Sequence, residues 1–139
     1  MEKVGGMSSS NGTNTPRTAY NYEVGSNSSS TTWSGKIGLM YVSDYGFAAG
    51  NSNWGTNLIS YDSTAVRNNN WMYMGATEWT IFRSSDYSSL AFIVNYTGNV
   101  NQGGVYRSYG AVRPVFYLNS STEYSSGSGT ESDPIRIVV

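Results

Sequence analysis

Neither cysteine nor histidine occurs among the 139 residues. Their absence removes thiol nucleophiles, imidazole general bases, Cys/His zinc sites and haem ligation together. Charge is also scarce: 12% of residues are charged and the net charge is −1, so no basic face is offered to nucleic acid. No apolar run approaches the ~20 residues needed to span a bilayer, so membrane insertion by this chain is not expected. The N-terminus lacks a secretory h-region, and any export or anchoring signal is expected outside this chain.

Ser, Asn, Thr and Gly are plentiful, together with 12 tyrosines, and aromatics make up 14% of the chain. Burying one such ring stabilises by roughly 1.5–3 kcal/mol, so one domain can hold together without disulfides. A length of 139 residues suits one domain and not two. Low Lys and Glu with high Ser, Asn, Thr and Tyr is the composition of an extracellular, β-rich module.

The ordered chain is organised around Glu78–Leu118, which reads as three or four antiparallel strands. Trp79 and Ile81 sit two apart, as do Phe92, Val94 and Tyr96, and Val112, Pro114 and Phe116; this is the period of half-buried strands. Thr97-Gly98-Asn99 is a hairpin signal, since Gly and Asn tolerate positive φ. Residues 1–18 read as a flexible polar leader, and the domain as 19–139 with its ordered core at about 33–118. Ala19–Val24 reads as an edge strand, Gly25–Thr32 as a flexible run, and Trp33–Val42 as a buried strand. Ser43–Gly46 reads as a turn and Thr56–Arg67 as the one helix. Asn119–Glu131 is again polar, and residues 133–139 form a last strand that opens on Pro134.

Three segments carry a family resemblance: W-S-G-K-I-G-L-M-Y-V-S-D-Y-G-F-A (Trp33–Ala48), N-N-W-M-Y-M-G-A-T-E-W-T-I (Asn69–Ile81) and Y-G-A-V-R-P-V-F-Y-L (Tyr109–Leu118), with the tail G-S-G-T-E-S-D-P. The chain resembles surface domains of gut Firmicutes that follow a prepilin-like segment. The order W-T, polar stretch, Gly-turned strand pair and V-R-P-V strand is similar to the C-type-lectin-like fold, in particular to the variable proteins of diversity-generating retroelements. The fold class this implies is α+β, β-dominated and C-type-lectin-like, a single domain with one or two short helices. The implied function is a non-enzymatic receptor or adhesin module on a cell, pilus or virion surface, binding a protein or glycan on another cell. The alternative is the head domain of a pilin-like subunit that packs in a filament or homo-oligomer.

The same resemblance puts the ligand-contacting positions at Arg83, Ser84, Ser85, Tyr87, Ser88, Phe92, Val94, Asn95, Tyr96, Asn99, Asn101, Tyr106, Ser108 and Tyr109. Tyr supplies contact area at low rotamer cost, and Ser and Asn supply adaptable hydrogen bonds; Phe92 and Val94 also read as core. The calcium-site motifs of sugar-binding lectins and the cysteines of formylglycine-generating relatives are missing, so neither activity is implied. No cofactor is expected. Asp44, Asp62, Asp86 and Asp133 are too scattered for a calcium loop. Glu78 with Asp86 or Asp44 is a carboxylate pair without a surrounding motif. Trp71 and Trp79 read as core, Trp54 as exposed, and Arg113 as the partner of Glu78 or Asp44.

Overall fold

The computed structural model describes residues 2–4, 6–8, 14–24, 31–33, 35–130 and 132–138. Along them run β1 (Glu2–Val4), β2 (Gly6–Met7), α1 (Pro16–Val24), β3 (Thr31–Trp33), β4 (Gly38–Leu39) and α2 (Val42–Phe47). Short 3-10 turns at Asn51–Asn53 and Leu58–Ser60 lead to α3 (Thr64–Asn68). There follow β5 (Glu78–Ser84), β6 (Leu90–Val94), β7 (Val100–Gly104), β8 (Pro114–Val115), β9 (Glu123–Ser126) and β10 (Arg136–Val138). The architecture is mixed α+β and sheet-rich, with few and short helices. Residues 1, 5 and 9–13 of the expected leader, residues 25–30 of the run Gly25–Thr32, Ser34, Glu131 and Val139 lie outside the described residues.

Strand β5 is the centre. One side pairs antiparallel with β6, and β6 pairs with β7, giving the sheet order β2-β5-β6-β7. Short segments fill its other side: Ala111 beside Glu78, Met40 O accepting from the Ile81 amide, and parallel β2 beside Arg83 and Ser84. Separate antiparallel pairs join β1 to β3, β4 to β8 and β9 to β10. The β6–β7 turn is made at Thr97-Gly98-Asn99, with Gly98 at φ +98° as the turn signal predicted.

Alternation along β5 is present, but its phase is the reverse of the hydrophobicity reading. Glu78, Thr80, Phe82 and Ser84 face the core, while Trp79 and Ile81 are only partly covered. Phe82 packs on Phe92 with ring centroids 5.8 Å apart. The polar core members are satisfied locally: Thr80 donates its hydroxyl to Phe92 O at 2.9 Å, and Ser84 Oγ accepts from Gln102 at 2.8 Å. A buried polar group with a partner costs little, so alternation of hydrophobicity and alternation of burial need not coincide.

Further expectations are corrected. Ala19–Val24 is helix, not edge strand: Thr15 caps α1 by accepting from the Thr18 amide at 3.3 Å, and Pro16 opens it with its preset φ. Pro16, Ala19 and Glu23 form its buried face. The expected leader also supplies Met7 and Pro16 to the interior. The buried strand expected over Trp33–Val42 shrinks to β3 and β4, and the expected turn Ser43–Gly46 is the body of α2, opened by Asp44, whose carboxylate accepts the Tyr41 amide at 3.1 Å. The helix expected over Thr56–Arg67 is broken in two, because Ser63 starts a new cap by accepting from Val66 N at 3.4 Å. Val112 and Phe116, expected half-buried, are each 66% exposed around the short β8.

Trp71, expected in the core, is 81% exposed. Its replacement by alanine is therefore expected to change unfolding free energy by no more than about 0.5 kcal/mol in urea denaturation. A loss of several kcal/mol would contradict the placement.

Candidate functional site

The outward face of the sheet is built by the register that sets Trp79 opposite Ile93 and Ile93 opposite Asn101. After β7 the chain doubles back as a strap, residues 105–111, and rejoins β5: the Trp79 amide donates to Ala111 O at 3.0 Å, and the Ala111 amide donates to Thr77 O at 2.7 Å. Gly110 allows that return. It sits at φ +109°, and a Cβ there would lie 2.6 Å from Trp79 Nε1. The strap thereby lays Tyr109 parallel to Trp79, with centroids 6.3 Å apart and planes 3° from parallel. The Arg107 guanidinium lies 5.5 Å from the Tyr109 ring centre and 6.0 Å from that of Tyr106.

Between strap and sheet lies an open groove of about 370 Å³, lined by Thr77, Ile93, Asn95, Tyr96, Asn101, Gln102 and Tyr109. Its rim is pinned by hydrogen bonds. Asn95 Oδ1 accepts from the Tyr96 amide at 2.9 Å and from Thr77 Oγ1 at 3.2 Å. Asn101 Oδ1 accepts from the Gln102 amide at 2.8 Å, and Tyr73 donates its hydroxyl to Tyr96 O at 2.8 Å. Ile93 supplies an apolar floor and is only 5% exposed.

Of the expected contact positions, Asn95, Tyr96, Asn101 and Tyr109 come together in this groove. Tyr106 and Ser108 are exposed on the same strap, and Arg83 is exposed on β5 beside Ala91. Ser85, Tyr87 and Ser88 are exposed in the β5–β6 turn, at the other end of β6. Asn99 lies in the β6–β7 turn, where Thr97 donates to its Oδ1 at 2.7 Å. Ser84, Phe92 and Val94 are corrections: at 1%, 3% and 1% exposure they belong to the core, and side chains without accessible surface do not touch a ligand. Thr77, Ile93 and Gln102 were not anticipated. Ile93 carried a signal, since it shares the strand face of Ala91 and not that of Phe92 and Val94.

The remaining candidates lie elsewhere. Trp54 is 42% exposed, but its indole N–H donates to Ala49 O at 2.9 Å and its ring meets Phe47 edge-on at 5.1 Å. Asp44 accepts from the Tyr117 hydroxyl, Asp86 from that of Ser8, and Asp133 closes the β9–β10 turn through the Ser128 amide. Among the described residues no group of three or more carboxylates gathers as a metal cluster. Glu78 is fully buried and ion-paired with Arg113 at 2.8 Å.

No family model, no curated protein and no solved structure matches the chain. The class that fold and groove define is a small α+β domain with a polar groove on the outer face of a mostly antiparallel sheet.

Proposed function

We propose that the chain is a non-enzymatic ligand-binding module with a C-type-lectin-like fold, displayed on a cell, pilus or virion surface, which reads a partner through the groove between sheet and strap. The observation that carries this reading is the convergence of Asn95, Tyr96, Asn101 and Tyr109 on one groove. Rim positions already held by hydrogen bonds lose little entropy on binding, which suits recognition from a rigid frame. Retroelement diversification of the stretch Arg83–Tyr109 fits the same reading, since its exposed positions are Ser, Asn, Tyr and Arg apart from Asp86 and Val105. A neighbouring reverse transcriptase gene, with a near-identical template repeat differing at adenines, would support it.

The test is cell binding by the fluorescently labelled domain, compared across variants. Tyr96→Ala combined with Asn101→Ala is expected to lower binding at least about tenfold. Tyr87→Ala, at the far turn, should leave binding unchanged. Binding that survives in the groove variant and fails in Tyr87→Ala would move recognition to the β5–β6 turn and overturn the assignment.

A second reading, the head of a pilin-like filament subunit, is favoured by another observation. Val112, Phe116 and Leu118 are 54–66% exposed, and Tyr124, Ile135 and Val138 of the C-terminal hairpin are equally uncovered. Exposed apolar side chains in such number suit packing against a neighbour. An upstream apolar helix of ~20 residues with a prepilin cleavage site would favour it.

A further inference from the structure

The groove's hydrogen-bonding capacity is lopsided. Asn95 and Asn101 each spend their side-chain oxygen on a backbone amide, Tyr96 N–H at 2.9 Å and Gln102 N–H at 2.8 Å. A backbone amide can only donate, so it fixes which end of each side chain is oxygen. Each side-chain NH2 group is left without a protein partner among the described residues. Gln102 has committed its own NH2 to Ser84 Oγ at 2.8 Å. The hydroxyls of Tyr96 and Tyr109 can each donate or accept, Gln102 Oε1 is an acceptor without a protein partner among the described residues, and no carboxylate lines the groove. The nearest formal charge on the strap is Arg107, set against the ring of Tyr109 at 5.5 Å.

A site with surplus donors, one adjacent cation and no anion asks for a ligand rich in acceptor oxygens. The Tyr96 ring, 62% exposed, also asks for an apolar face. A sugar acid meets both demands: its carboxylate and ring oxygens accept, while its C–H face covers hydrocarbon. The volume of about 370 Å³ lies within the usual range for small-ligand sites, roughly 300–1,000 Å³. We infer that the groove binds a carboxylate-bearing sugar residue, a uronate or a sialate, through the amides of Asn95 and Asn101 with Arg107 as the neighbouring cation. This rests on the binding-module reading and narrows its ligand.

The test is calorimetric titration of the domain with methyl glucuronide, a methyl sialoside, methyl glucoside and an acidic peptide. At least one of the two acids is expected to bind at least about tenfold more tightly than the glucoside, the ratio between the acids telling uronate from sialate. Asn95→Asp and Asn101→Asp keep the oxygen that accepts the backbone amide, and replace only the NH2 by a second oxygen. Each is therefore expected to leave the melting temperature near that of the parent and to weaken the preferred acid at least about tenfold by charge repulsion. Equal binding of glucoside and acids, binding of the peptide alone, or undiminished binding in both Asp variants would overturn the inference. Should no saccharide bind while the Tyr96→Ala, Asn101→Ala variant still loses cell binding, the sugar acid falls and the binding-module reading stands.

Discussion

Arg113→Ala is expected to lower the unfolding free energy by about 3 kcal/mol at neutral pH, the largest loss from any single charge in this chain. Glu78 opens β5 with its side chain at 0% exposure, and Arg113 Nη2 donates to its Oε2 at 2.8 Å. The same nitrogen donates to Met72 O at 3.0 Å, so one guanidinium ties the first residue of the central strand to the segment before it. Glu78 Oε1 and Arg113 Nε have no hydrogen-bond partner among the described residues, so nothing else is in place to neutralise the carboxylate. The lower end of the range for breaking a buried pair is chosen because Arg113 keeps 24% exposure.

Burial pushes the Glu78 carboxyl above its usual range, and Arg113 pulls it back down. Without Arg113 it rises further. The variant's deficit should then grow as pH rises above the ordinary carboxylate value, and shrink in acid, where the proton does the work of the cation. Adding Glu78→Gln to Arg113→Ala should recover part of the loss at pH 8. Urea midpoints for the four species at acid and alkaline pH measure this. A single-variant loss under about 1 kcal/mol would mean the pair is a surface contact in energetic terms.

The second large effect is a stability that falls from mildly acid to neutral pH, opposite to ordinary acid denaturation. Glu23, 4% exposed in α1, accepts from the Ser43 amide at 3.0 Å and from the Ser43 hydroxyl at the start of α2. Burial is the larger influence and outweighs those hydrogen bonds, pushing its carboxyl to about 7 from 4.5. Between those values the folded chain holds a proton that the unfolded chain has released. Stability is therefore full below the unfolded value and declines as pH rises to the folded one, by about 3 kcal/mol in all. Glu78, raised as well, adds to the same slope. Glu23→Gln can keep both contacts to Ser43 through its oxygen and NH2 group. It is expected to stabilise the protein at pH 8, leave it nearly unchanged at pH 4.5 and flatten most of the slope. A denaturation series showing equal pH dependence in the parent and the variant would exclude Glu23 as the source.

Local rules were legible wherever a residue acts on its own neighbourhood. Gly98 turned the chain where Gly and Asn permit positive φ, and the final strand begins just after Pro134. Thr15-Pro16 was a legible helix start that the polar composition of the segment obscured. The pairing of Arg113 with Glu78 was one of two options open in the sequence, and an apolar strand around a guanidinium already demanded some carboxylate.

Composition and alternation thus announced a sheet-rich domain without Cys or His chemistry, because those follow from residue identity and short-range sterics; the α+β class was what the resemblance implied. Which face of β5 is buried did not follow, since Glu78, Thr80 and Ser84 become core residues only when Arg113, Phe92 O and Gln102 arrive from elsewhere in the chain. The groove is the same case. Thr77, Ile93, Asn101 and Tyr109 meet because the register of β5, β6 and β7 aligns them and Gly110 lets the strap return over Trp79. Pairings between residues far apart in sequence depend on the whole set of competing contacts, and only the folded chain resolves them.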